Sequence, residues 1–268
     1  MSPDVEQVAQ FISYLSWEGY AGATISTYIS GIAFGMQTLG WPDVTHCFII
    51  RRLVDGCRRK HARRDTRCPI TLPILKRIIN SLAHVCTTSY ESALFQAAFL
   101  VAFFGFLRVG ELTVNSRHGP ISLSEGDVHI RGLGRHEKMH VTIQRSKTDQ
   151  AGRGCCIVIP PNDMAHLCPI HAVSAYLALR SPLGIAFFRH FDSHPLTRHE
   201  FNAMLKRAIT FLGLPVAFFS SHSFRIGAAT SAAMAGVPDV CIQNMGRWAS
   251  NTHRRYIRPN LIPPPCPT

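Results

Sequence analysis

At 268 residues, 46% of them hydrophobic, the chain is long enough for two packed cores and too apolar to be a disordered basic tail. Its 28 Lys and Arg stand against 16 Asp and Glu, a net charge of +12 that points to a polyanionic partner such as nucleic acid. No run approaches the roughly 20 apolar residues of a spanning helix, the N-terminus has no basic segment leading into an apolar run and cleavage site, and nine cysteines lack framework spacing; neither membrane insertion, secretion nor disulfides are expected.

The first elements are helical. Val5, Val8, Ala9, Ile12 and Leu15 recur at helical spacing, and so do Ile25, Tyr28, Ile29, Ile32, Met36 and Leu39 ahead of Gly40. A third set, Ile49, Ile50, Leu53, Val54 and Cys57, runs into Arg58, Arg59, Lys60, His61, Ala62, Arg63 and Arg64, where the apolar period stops. Residues 51–67 carry eight Lys and Arg against two Asp, half of the chain's excess charge. Such a strip is a solvated linker, a nuclear-import signal, or a track along a phosphate backbone that reads no sequence. The change of pattern predicts a small helical domain over 1–67 and a second domain over 68–268.

The second domain is predicted to open with a helix capped by Thr71, with Pro73 in its first turn and Leu72, Leu75, Ile78, Ile79 and Leu82 on one face. From about Ser92 to Leu107 the chain is apolar nearly all round, the mark of a helix surrounded by protein. The period then changes to two at Val128 and Ile130, at Met139, Val141 and Ile143, and at Ile157 and Ile159, which predicts a three-stranded antiparallel sheet. Helical patterns return over Ala172–Leu179, Glu200–Leu212, Phe224–Met234 and Val240–Met245, and the prolines at 263–265 predict a loose tail. The fold class expected is mainly α (α+β): an N-terminal helical domain, and a helical domain carrying a small antiparallel sheet.

Four polar groups stand out against this apolar background. Arg108 and Glu111 are three apart, so one helical turn puts them on a shared face where the carboxylate can hold the guanidinium. His222 and Arg225 repeat that spacing at a helix start, where backbone N–H groups favour an anion. Trp248 precedes a short predicted helix that places Tyr256 in a basic stretch, and Lys147 falls at the turn after the second strand. Each has a plain reading too: an ion pair, a structural histidine, an amphipathic surface tyrosine, a core tryptophan, a turn lysine. Metal-free phosphodiester cleavage nevertheless needs cations around the non-bridging oxygens, a nucleophile, and an acid for the leaving oxygen, and these residues supply each. No carboxylate cluster suits two-metal chemistry. His166, Cys168 and His171 invite a zinc reading, but Pro169 interrupts them and no fourth ligand stands at a usual spacing; no metal is expected.

In chain order Arg108, Lys147, His222, Arg225, Trp248 and Tyr256 resemble the active-site series of the tyrosine recombinases, or phage integrases, and the resemblance covers almost the whole chain. The stretch from His222 to Ile257 is similar to the same region of Cre-like enzymes. The phrases Phe-Phe-Gly-Phe-Leu-Arg-Val-Gly-Glu-Leu, Ser-Lys-Thr-Asp-Gln, His-Ser-Phe-Arg-Ile-Gly-Ala-Ala-Thr and Gly-Arg-Trp-Ala-Ser look closest to recombinases of eukaryotic DIRS-like mobile elements. The resemblance implies that Arg108 and Arg225 bind the scissile phosphate, that Glu111 supports Arg108, and that His222 assists proton transfer. It further implies Lys147 as general acid, Trp248 contacting the phosphate or buttressing the pocket, and Tyr256 forming a 3′-phosphotyrosyl bond. The N-terminal domain would clamp double-stranded DNA, with Arg58, Arg59, Lys60, Arg63 and Arg64 on the backbone. A homodimer to homotetramer on DNA, no cofactor, no small-molecule substrate, and a nuclear setting if the source is eukaryotic (otherwise cytoplasmic) complete the expectation. Two departures stand beside it: the interval from Trp248 to Tyr256 is one residue shorter than in Cre-like enzymes, and a proline-rich piece replaces the C-terminal helix that many relatives dock on a neighbouring subunit. A catalytically silent DNA-binding descendant and a type IB topoisomerase are the alternatives.

Overall fold

The computed structural model describes residues 2–60, 65–146 and 152–261. The chain forms two compact units, 1–66 and 67–268.

The first unit is a three-helix cluster: α1 (Val5–Trp17), α2 (Gly22–Thr38) and α3 (Phe48–Lys60). Asp4 caps α1 by accepting from the Gln7 N–H at 2.8 Å, while the Gln7 side chain accepts from the Asp4 N–H at 3.1 Å. Val8, Ile12 and Leu15 of α1 meet Ile25, Ile29 and Met36 of α2 and Ile50, Val54 and Cys57 of α3, the core that the helical spacing predicts. The apolar stripe of α3 ends at Cys57 but the helix continues into the basic run, so Arg58, Arg59 and Lys60 are exposed residues of its last turn, where cations complement the helix dipole.

The second unit is built around α5 (Ser89–Phe104), whose residues Leu94, Phe95 and 97–103 are buried. Packed with it in one core are α4 (Leu72–Val85), α7 (Pro169–Leu179), α8 (Arg198–Phe211) and α9 (His222–Met234), with the four-residue α6 (Val109–Leu112) and the short α10 (Asp239–Met245) at its margins. β1 (Val128–Arg131), β2 (Lys138–Ile143) and β3 (Cys155–Ile159) form the predicted antiparallel sheet in the order β1-β2-β3, with Val128 opposite Val141 and Val141 opposite Ile157. Met139, Val141, Ile143 and Ile159 turn one face of it into the core.

Two local details differ from the sequence reading. Thr71 occupies the N-cap of α4, yet its side chain caps nothing; the N–H of the first helical residue, Leu72, donates to Ser231 Oγ at 3.0 Å, a partner on α9. α5 stops at Phe104 rather than continuing to Leu107, because Phe106 adopts a left-handed backbone (φ 50°) that turns the chain out of the helix. Where the chain enters this unit, the Cys68 N–H donates to the Phe218 carbonyl (2.7 Å) and the Ile70 N–H to the Ser223 carbonyl (3.0 Å). A Cβ on Gly227 would overlap the Ile70 carbonyl, so glycine permits this segment to lie against α9.

Candidate active site

The turn after α5 builds the first wall. Arg108 stands at the N-cap of α6 and Glu111 at its third residue, and Glu111 folds back to accept from the Arg108 N–H (2.9 Å) and from Arg108 Nη1 (3.0 Å). The three-residue spacing alone dictates that pair. The other oxygen face of the same carboxylate receives Arg247 Nη2 at 3.0 Å, so one side chain only 4% exposed holds two guanidiniums. Arg247 directly follows α10 and Gly246, and like Phe106 it has a left-handed backbone, with φ 56°. The Phe106 carbonyl accepts from Arg247 Nη2 (3.3 Å) and from Arg225 Nη1, so the two strained turns lock onto each other.

The second wall comes from α9 and the 3₁₀ helix Asn251–Tyr256. The Tyr256 ring lies 5.1 Å from that of His222 and 4.9 Å from that of Trp248, centroid to centroid. Trp248 folds back over Gly246, where any Cβ would strike the indole. Behind it lies Arg225, fully buried, its guanidinium 4.3 Å from the Trp248 ring centre and donating to the carbonyls of Phe106 and Gly246. Burial first, then the neighbouring charges of Arg108 and Arg247, push its pKa down to about 10, which leaves it charged at neutral pH.

The segment bearing Tyr256 is anchored from the other side. His253, also fully buried, pairs through Nε2 with Asp239 Oδ1 at 2.7 Å, and Arg254 reaches Asp239 Oδ2 at 3.0 Å. The hydrogen bond to His253, followed by those to Arg254, holds the Asp239 carboxyl below the usual range. Thr230 Oγ1 of α9 donates to the Tyr256 carbonyl at 3.1 Å.

Between the walls is a cavity of about 720 Å³ lined by Arg108, Glu111, His222, Trp248 and Tyr256 among the predicted residues, and by Arg145, Arg198 and Arg247. Arg225 stands one layer behind, outside the lining. Lys147 lies outside the described residues; its chain neighbours Arg145 and Ser146 line the cavity. Arg63 and Arg64 lie outside them as well. Sequence reasoning assigned no role to Arg145, Arg198, Arg247, Asp239 or His253. The only trace of Arg247 in the sequence is its place between Gly246 and Trp248, and the partnership of Asp239 with His253 leaves no spacing signal at all. Among the described residues lining the cavity, Glu111 is the one carboxylate facing four arginines. Among the described residues, Arg225 Nε, Arg247 Nε and Trp248 Nε1 are buried N–H groups with no hydrogen-bond partner. The described residues hold no group of three His, Cys, Asp or Glu side chains placed for a metal, and no helix among them is long and apolar enough to cross a membrane.

Neither a protein-family model nor a curated protein matches the sequence. Solved structures do match. The XerH site-specific recombinase, bound to its palindromic difH substrate in a post-cleavage complex, is similar with a TM-score of 0.64 at 16% identity, over 95% of this chain and 68% of its own. The Tn1549 transposon integrase in complex with circular intermediate DNA gives 0.59 at 15%, over 96% and 81%. A lambda integrase dimer bound to a COC′ core site gives 0.59 at 17%, over 94% and 63%. This is the tyrosine recombinase fold. At such low identity the likeness is one of architecture: a mainly helical recombinase fold carrying a three-stranded antiparallel sheet, as expected from the pattern of periods. The chain spans between 63% and 81% of the length of these recombinases.

Proposed function

We propose that this chain is a site-specific DNA recombinase or integrase that cuts one strand at a time by joining it to Tyr256. The observation that carries the proposal is the meeting of Tyr256, His222 and Arg108 around one arginine-rich cavity, although they lie on three separated segments. In the proposed step the Tyr256 Oη attacks phosphorus, its proton passing to His222 or solvent. The bond to the 5′ oxygen breaks as that oxygen takes a proton from Lys147, and a 3′-phosphotyrosyl link remains. Attack by a 5′ hydroxyl of another strand reverses the sequence, so the ester is conserved and no nucleotide cofactor is consumed. Arginines held rigidly about the non-bridging oxygens stabilise the charge that builds there, and fixed donors of this kind commonly supply most of the rate enhancement.

The first unit would clamp double-stranded DNA, with Arg58, Arg59 and Lys60 on exposed turns suited to phosphate contacts and Arg63 and Arg64 following them in sequence. Exchange between duplexes calls for a homodimer or homotetramer. The resemblance of its sequence phrases to those of eukaryotic mobile-element recombinases is the ground on which we propose a mobile-element origin and a nuclear setting. The test is a pool of random-sequence duplexes carrying a nick next to the cleavable position, so that the freed end diffuses away and traps the adduct. Wild-type protein should yield denaturant-resistant protein–DNA adducts, and Tyr256→Phe should yield none while binding DNA as before. Binding without adducts from the wild type would instead indicate a silent DNA-binding protein, and adducts surviving in Tyr256→Phe would dismiss the nucleophile.

A further inference from the structure

We propose that Asp239 and His253 are positioning residues for the nucleophile: their hydrogen-bonded pair sets the rotation of the 3₁₀ helix Asn251–Tyr256 and so aims Tyr256 into the cavity. The proposal rests on the strand-cutting reading above. It gives a duty to two side chains that the sequence resemblance leaves without one.

The element that carries Tyr256 is weak by itself. A 3₁₀ helix has poorer hydrogen-bond geometry than an α-helix and is uncommon beyond about four residues, yet this one runs for six. Its orientation therefore depends on ties to the rest of the fold. With about three residues to the turn, side chains three apart eclipse one another, and His253 and Tyr256 stand at that spacing. Whatever fixes the direction of the His253 ring thus fixes that of the Tyr256 ring. The Trp248 ring centre lies 6.1 Å from the first and 4.9 Å from the second, so the three rings form one packed group.

His253 is fully buried, and its Nε2 pairs with Asp239 Oδ1 at 2.7 Å. A carboxylate can only accept, so that ring nitrogen carries the proton, and the imidazole cannot turn without losing the bond. Burial gives the bond its leverage, because a buried N–H that loses its acceptor is left unsatisfied. The neighbouring contact from Arg254 to Asp239 is 68% exposed on the arginine side and is exchanged for water at little cost. Asp239 is the first residue of α10, which leads through Gly246 and Arg247 to Trp248, so the pair pins the stretch 239–256 at its start and near its end. On the far side Thr230 Oγ1 donates to the Tyr256 carbonyl and accepts from the Arg258 N–H at 3.0 Å. These bonds hold the backbone where the segment ends, and its twist is left to His253.

Attack on phosphorus needs the phenol oxygen in line with the leaving oxygen, and an error of about 1 Å in such placement costs on the order of 10²-fold in rate. In the full chain, Asp239→Ala should slow adduct formation on a duplex recovered from the adduct selection by about 10–10²-fold. Its DNA affinity should match that of Asp163→Ala, a charge control that removes an exposed carboxylate from the loop after β3. Asp239→Asn keeps an acceptor for His253 Nε2 and should lose less. An external nucleophile separates aiming of Tyr256 from general support of the cavity. Hydrogen peroxide is offered to Tyr256→Phe and to the double variant Tyr256→Phe/Asp239→Ala; a peroxide oxygen attacks phosphorus in place of the phenol, and the 5′ oxygen leaves with a proton as before. Peroxide-dependent cutting should be equal in the two, because Asp239 acts only through Tyr256. A slower double variant overturns the proposal, and so do adducts formed at the wild-type rate by both Asp239→Ala and Asp239→Asn. Amide hydrogen exchange is read without any cutting: residues 250–258 should exchange faster in Asp239→Ala than in wild type, against α5 and α8 as internal references. Unchanged exchange at 250–258 overturns the proposal even in a protein that forms no adduct. Faster exchange there in a protein forming no adduct retains the hold on the segment and rejects the cleavage reading. Should Asp239→Ala fail to fold, the same comparisons are read from Asp239→Asn.

Discussion

Replacing Glu111 by Gln removes one negative charge and almost no volume from the centre of the site. The native carboxylate receives three donors, the Arg108 N–H, Arg108 Nη1 and Arg247 Nη2, at 2.9, 3.0 and 3.0 Å, and is 4% exposed. The amide keeps one acceptor oxygen and turns an N–H₂ group towards guanidinium donors, so at least one hydrogen bond becomes a clash of donors. Taking one partner from a fully buried ion pair costs about 3–5 kcal/mol. Arg108 and Arg247 are 23% and 19% exposed, so water recovers part of this loss. We therefore expect about 2–4 kcal/mol of destabilisation, which at roughly 2–4 °C per kcal/mol for a unit of this size lowers the melting temperature by at least about 4 °C. Urea unfolding is the assay of choice, because guanidinium chloride would itself screen the unbalanced arginines. The two guanidiniums left without their carboxylate also predict that added sulfate restores more stability to Glu111→Gln than to wild type. A loss below about 1 kcal/mol with no sulfate dependence would refute the view that Glu111 organises the cluster.

Other perturbations probe the supports of the site. Gly246→Ala places a methyl group against the Trp248 indole; it should cost about 1–3 kcal/mol and change the tryptophan fluorescence, and an unchanged spectrum and melting point would show that the ring is free to move. In the capping box of α8, Thr197 Oγ1 accepts from the Glu200 N–H and donates to Glu200 Oε2 at 2.7 Å. Thr197→Ala should cost about 1 kcal/mol. Burial raises the pKa of Glu200, but the hydrogen bonds from Thr197, then Arg117, outweigh it and bring the group down to about 2. A lowered carboxyl contributes stability above its unfolded value, ordinarily about 4.3, and loses that contribution as pH falls towards 2. Acid unfolding followed over that window should therefore be shallower in Thr197→Ala, and curves of equal slope would contradict the linkage.

Much of this molecule is local and therefore legible in its sequence. Helical and strand periods depend on how side chains are spaced along a regular backbone, so Ile12 and Leu15, Ile78 and Leu82, or Val141 and Ile143 announce their elements and their buried faces. Arg108 and Glu111 pair because three residues of helix bring them together whatever the rest of the chain does. The cap at Thr71 misleads for the same reason: its residue type is right for the position, but the second helical residue, Pro73, has no N–H to give it, and the N–H of the first, Leu72, is satisfied by Ser231 from α9.

From the amino-acid order alone came the mainly helical class, the three-stranded sheet, and a series of polar residues that resembles a DNA-cutting site. Tertiary structure alone decided which arginines share the cavity. Arg225 looks available beside His222 in sequence, yet two backbone carbonyls and an indole enclose it. Arg247 leaves in the sequence only its place between Gly246 and Trp248, yet it stands beside Arg108 on the same carboxylate. The physical reason is that a guanidinium's partners here are set by two left-handed turns, at Phe106 and Arg247, which meet only when α5 and the end of α10 pack together. No spacing rule along one segment can express a contact between two.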